Sequence, residues 1–102
     1  MIAIINNSNR KDKKYAAIIV SDGKSKTIHF GAAGYEDYTT HKDDDRKDKY
    51  IKRHAGKENW DDPTKAGFWA KNLLWNKPTL EESAEEAGTR YGIKIILDTD
   101  NL

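Results

Sequence analysis

The side chains able to do chemistry gather in one stretch, GYEDYTTHKDDDRKDKYIKRH, residues 34–54. It holds His41 and His54, the acids Asp43, Asp44, Asp45 and Asp48, the bases Arg46, Lys49 and Arg53, and the aromatics Tyr35 and Tyr38. Three kinds of behaviour can be built from these groups. Histidine beside carboxylate can ligate a metal or relay a proton, cations beside aromatics can hold phosphates and stack on bases, and mixed charge can simply solvate a helix. A metal site using His41 with Asp43 or Asp45 matches no ligand spacing such as HExxH or a calcium loop. A nuclease needs a general base beside phosphate-binding cations, and the strand-rich part of the chain adds no second carboxylate cluster. No nucleophile elbow is present for Ser–His–Asp chemistry, and Gly31-Ala32-Ala33-Gly34 lacks the length and Lys-Ser/Thr ending of a phosphate loop. The expectation is a protein that is not an enzyme, with no catalytic residues, metal, cofactor or small-molecule substrate.

Binding remains. Arg46, Lys49 and Arg53, with Lys42, fall along one side of a helix, and Lys11, Lys13 and Lys14 join them if a sheet edge packs there. Such cations take phosphates, and Tyr35 or Tyr38 can stack on a base. Aspartates on the same helix oppose this. Asp43 with Lys47, Asp45 with Lys49 and Asp48 with Lys52 stand four residues apart, and an intrahelical lattice of such pairs is worth roughly 0.2–0.5 kcal/mol each. A second surface is offered by AGFWAKNLLW, residues 66–75, whose bulky residues either fill the core or leave an apolar patch for a partner. Trp69 and Leu73 are expected in the core.

Composition narrows the classes. At 102 residues the chain is expected to form a single domain over residues 1–102, with one modest core. Charged residues are 34% and hydrophobic ones 36%, yet 10% aromatics argue for a packed rather than a disordered chain. Without cysteine there are no disulfides, thiolate nucleophiles or Cys-rich zinc sites. The net charge is +1, so no broad basic face exists and any grip on phosphate must be a local patch. The apolar run Met1–Ile5 is far too short for a membrane span or a secretory segment, and the protein is expected to be soluble, untargeted and away from membranes.

Strands and helices have to bring these groups together. YAAIIV (15–20) and KTIHF (26–30) flank Asp22-Gly23, a strong hairpin signal, with Ile28 and Phe30 inward, and IAII (2–5) is a further strand. A helix over about 40–55 takes Thr40 as N-cap, Asp43 at N3 and Gly56 just past its end, with acids early and bases late to suit its dipole. Asp62-Pro63 opens a second helix, which Pro78 ends. Thr79 and Glu82 box the start of a third, with Leu80, Ala84, Ala87 and Tyr91 on its apolar face and Gly92 as its stop. IKIIL (93–97) closes the chain as a strand. The expected architecture is α+β: a small antiparallel sheet, made of the N-terminal hairpin plus the C-terminal strand, with three short helices packed on one face.

Several quoted positions carry a resemblance. Phe30-Gly31, Asp37-Tyr38-Thr39, His41, Asp43, Arg46, Tyr50 and Arg53-His54, followed by Leu74-Trp75-Asn76-Lys77-Pro78, resemble a family of small uncharacterised proteins encoded by large DNA viruses and tailed phages. The resemblance covers roughly residues 25–91 and departs at Asn72, where the pattern leads one to expect an aromatic. It implies a viral source. The expected function is then that of a minor or accessory virion component, capsid- or tail-associated, acting by contact with other virion proteins. It would reside in the virion or the infected-cell cytoplasm. The alternative is a small viral accessory protein that binds nucleic acid through the 40–55 helix. On either reading Arg46, Lys49, Arg53, His54, Tyr38 and His41 are the residues expected to meet the partner.

Overall fold

Period-two alternation builds the sheet of the computed structural model, which describes residues 1–99; the last three positions of the expected domain lie outside the described residues. β1 (Ile2–Asn7) sends Ala3 and Ile5 to one face, where both are fully buried, and Ile2 and Ile4 to the other. Asp22-Gly23 closes β2 (Lys13–Ser21) onto β3 (Lys24–Ala32). Both turn residues have positive φ, 52° and 75°, the left-handed pair that such a hairpin turn requires. Tyr15 stands opposite Phe30 and Ala17 opposite Ile28, so the inward set expected from the sequence is the one that is buried.

The closing strand, β4 (Lys94–Asp98), pairs with β1, and the order across the sheet is β3-β2-β1-β4. It runs parallel to β1, with Ala3 beside Ile95 and Ile5 beside Leu97. The antiparallel sheet expected from the sequence is therefore a mixed one. Alternation says which face a side chain takes and nothing about strand direction, and the long helical crossover between β3 and β4 is what a parallel arrival needs.

Four helical segments fill that crossover: α1 (Tyr38–His41), α2 (Asp44–His54), α3 (Ala66–Trp69) and α4 (Leu80–Tyr91). The start expected at Thr40 divides in two. Asp37 caps α1, with Thr40 completing its capping box, then Lys42 turns left-handed at φ 55° and Asp43 caps α2 by accepting from the backbone of Asp45 and Arg46. Asp62 closes a turn on Thr64 instead of starting a helix, and α3 begins later at Ala66. Beyond Trp69 the chain continues as a π-helical turn over Ala70–Leu74, where Trp75 N–H donates to Ala70 C=O at 3.2 Å. One extra residue in that turn rotates the next side chains by about 100° relative to an unbroken α-helix. α4 starts and stops as expected, at Thr79 and Gly92, and buries Ala84 and Ala87.

The core joins one sheet face, through Ala3, Ile5, Ala17, Ile19, Ile28 and Phe30, to Phe68, Trp69, Leu73, Leu74 and Ala84 of the helical crossover. Asn72, in place of the expected aromatic, is buried too, its amide donating to the carbonyls of Phe68 and Trp60. α2 attaches through side chains at its edge: Tyr50 stacks on Trp75 with ring planes 3° apart, and Lys47 donates to the Asn76 carbonyl at 2.6 Å. Among the described residues no helix is long and apolar enough to cross a membrane.

Candidate functional site

A cavity of about 570 Å³ opens between the β2–β3 end of the sheet, α2 and the start of α3. That volume falls in the range of ligand pockets. From β2 come Lys13 and Lys14, from β3 Phe30 and Gly31, and from the adjoining loop Tyr35, Glu36 and Asp37. α2 supplies Arg46, Lys49, Tyr50, Arg53 and His54, and the far side is completed by Glu58, Gly67, Leu74 and Trp75. Gly31 is required there: it sits at φ +79°, and a Cβ would stand 2.8 Å from Leu74 Cδ1.

The α2 contribution has a physical pattern. Residues 46, 49, 50, 53 and 54 follow the i, i+3, i+4, i+7, i+8 spacing of one helix face. That face carries three cations and no aspartate; Asp43, Asp44, Asp45 and Asp48 stay outside the cavity lining and are exposed. The ion-pair lattice expected along the helix does not form among the described residues. Lys47 goes instead to the Asn76 carbonyl and lies 4.9 Å over the Tyr38 ring, and Lys49 pairs with no carboxylate.

Around the cavity, the charges sort into paired and free. Lys14 donates to Asp37 Oδ2 at 2.6 Å in a half-buried ion pair, and Arg46 reaches Glu36 at 3.5 Å on the surface. His54 Nδ1 lies 3.4 Å from Glu58 Oε1, while Glu58 Oε2 accepts from the Trp60 indole. Lys13, Lys49 and Arg53 have no side-chain hydrogen bond or ion pair among the described residues. Three unpaired cations thus border one concavity. Its inner wall is aromatic: Tyr50 is sandwiched between Trp75 and His54, each ring centroid 4.3 Å away. Burial, with the Glu58 carboxylate next, pushes the Tyr50 phenol above the ordinary tyrosine range, so it stays neutral. Tyr35 is the free ring, 74% exposed at the rim.

Of the six residues expected to meet a partner, Arg46, Lys49, Arg53 and His54 come together on this wall. Tyr38 and His41 do not line it. Tyr38 is buried and donates to Asp44 Oδ1 at 2.6 Å, tying α1 to α2; the Asp44 bond, then burial, raises its phenol. His41 Nδ1 accepts from the Asp43 backbone at 2.9 Å, and its ring leans on Trp75. Lys13 and Lys14 line the same cavity, whereas Lys11 lies outside. The Asp37–Lys14 pair and the Tyr50–Trp75 stack had no local signal, since their partners stand 23 and 25 residues apart. Among the described residues no group of three His, Cys, Asp or Glu is placed to hold a metal ion.

Comparison with known proteins adds one match. The model of a family of unknown function (DUF5754) matches residues 3–54. No curated protein and no solved structure matches the chain. The matched span runs from β1 to the last residue of α2, so it contains every cation of the cavity, Lys13, Lys14, Arg46, Lys49 and Arg53, together with His54. The Glu58, Gly67, Leu74 and Trp75 side lies beyond it. With half of its length inside that match, the chain belongs to the family of unknown function DUF5754.

Proposed function

We propose that this protein binds nucleic acid, holding phosphates in the cavity with Lys13, Lys49 and Arg53, as an accessory protein of a virus. The observation that carries the reading is the segregation of α2. Arg46, Lys49 and Arg53 line a shared concavity with the β2 lysines while the four aspartates lie outside it, and the three acids that do line it, Glu36, Asp37 and Glu58, each face a basic partner, Arg46, Lys14 and His54. The viral source rests on the resemblance of the Phe30–His54 motifs, and residence in the virion or infected-cell cytoplasm goes with it. Titration of a labelled oligonucleotide tests the reading. The double variant Lys49→Gln/Arg53→Gln weakens binding of all sequences alike and lowers the salt slope by about 0.7 for each residue removed. Both side chains are exposed and unpaired among the described residues, so the variant folds as the parent does. Undetectable binding by the parent, or equal affinities for the two, overturns the proposal.

One further observation favours the reading as a minor virion component working by protein–protein contact. The sheet face opposite the core leaves Ile2, Val20 and Ile96 each more than a third exposed, beside half-buried Ile4 and Ile18. The occupant on this reading is a major particle protein, burying about 1,000 Å² or more of total surface. Mass spectrometry of purified particles finds the chain at a copy number comparable to structural proteins if this is right, and its absence from particles ends the idea.

A further inference from the structure

Resting on the nucleic-acid reading of the cavity, we infer that its ligand is a single strand, with an unpaired base stacked on Tyr35. Two features of the site point away from a duplex. A helix that reads duplex DNA lies in the major groove, about 12 Å wide, with its cations turned outward to the phosphates on either side. α2 does the reverse. Arg46, Lys49 and Arg53 line the cavity shared with Lys13, and the exposed residues of α2 and its N-cap outside it are Asp43, Asp44, Asp45 and Asp48 against the one cation Lys52. A duplex approaching α2 from outside meets carboxylates first. A single strand is thin and flexible enough to enter a cavity of about 570 Å³ and bring its phosphates to cations on both walls.

The rings make the same distinction. Tyr50 has both faces covered, by Trp75 and His54, and Trp75 lies between Tyr50 and His41. These rings shape the wall and leave little face to a base. Tyr35 differs. It is 74% exposed, it makes no ring contact or side-chain hydrogen bond among the described residues, and it stands at the mouth of the same cavity. Its place is set by the backbone, where Gly34 turns at φ +85° and Tyr35 N–H donates to Ala32 C=O at 3.4 Å. An exposed tyrosine beside unpaired cations is the pairing that single-strand sites use, the ring taking any base and the cations taking the backbone. A base within a duplex, paired and stacked on its neighbours, has no face to offer.

The test uses the full chain and fluorescence anisotropy at low salt. The probes are labelled oligo-dT and oligo-U of about eight nucleotides, and a hairpin duplex of similar length. The single strands bind and the duplex binds at least about tenfold more weakly. Tyr35→Ala weakens single-strand affinity by about tenfold, the scale of one lost base stack, and Tyr35→Phe restores it. The dT and U arms show whether DNA or RNA is preferred. Equal binding of duplex and single strand, or no effect of Tyr35→Ala, overturns this inference while leaving the nucleic-acid reading intact. Failure of every probe to bind overturns that reading itself.

Discussion

Asp37 shows how one residue ties the site to the fold. Its carboxylate is buried, with Oδ1 accepting from the Thr39 backbone and hydroxyl to cap α1 and Oδ2 accepting from Lys14 of β2. Its own N–H donates to Thr40 Oγ1 at 2.9 Å, completing the box. The residue thus clamps the loop bearing Tyr35 between the sheet and the helical crossover. Replacing it removes a helix cap and leaves the Lys14 ammonium half-buried without a counter-charge. Asp37→Ala is expected to lower stability by roughly 2–4 kcal/mol, read as a fall in the urea midpoint with little change in slope. A loss below about 0.5 kcal/mol, the level of an ordinary surface change, would show that the clamp is slack.

At the scale of elements, α4 is fastened to the end of the π turn by Glu86. Its Oε1 accepts from the Asn76 amide at 2.6 Å, and its Oε2 pairs with Arg90 at 2.5 Å. The Asn76 bond first, and the Arg90 guanidinium after it, hold this carboxyl below the usual glutamate range. The unfolded chain, with an ordinary glutamate, takes up the proton at higher pH than the folded one. The stabilisation is therefore complete above about pH 5 and is lost as pH falls through the folded value. Urea midpoints measured in steps from neutral to acid pH are expected to fall for the wild type more steeply than for Glu86→Gln, whose amide cannot titrate. Parallel profiles would assign the acid sensitivity to other carboxylates. Asn76 also donates to the Asn72 carbonyl and offers its own carbonyl to Lys47, so α2, the π turn and α4 meet at this residue.

For the whole molecule, charge is the governing property. A net charge of +1 leaves little long-range field to draw in a polyanion, so on the proposed nucleic-acid reading the attraction to phosphate is local to the cavity. Three unpaired cations line it, and neutralising single-strand phosphates releases about 0.7 counterion each. A plot of log affinity against log salt for an oligonucleotide is accordingly expected to slope at about −2. A slope near zero would mean the cations do not touch phosphate, and one steeper than about −4 would require more cations than the five that line the cavity. The opposite side of the sheet, with Ile2, Val20 and Ile96 exposed, is chemically unlike the cavity, so the two surfaces can serve different partners at once.

Where the physics is local, the sequence was enough. Asp22-Gly23 demands left-handed φ, so the hairpin and its inward Ile28 and Phe30 were legible; so was α4, whose capping box, apolar spacing and terminal glycine all lie close together along the chain. The run IKIIL marked a closing strand but holds no information on direction, and only pairing with β1 made it parallel. The π turn carries no glycine or proline to announce it, and around it Leu73 and Leu74 enter the core while Trp75 stacks on Tyr50 of α2. Spacing allowed Lys47 to pair with Asp43, yet the Asn76 carbonyl, far along the chain, claimed it. The cavity belongs to this second class. Its cations come from β2 and from α2, and they face one space because the crossover brings those elements together, an arrangement that long-range packing decides and no short window of residues can encode.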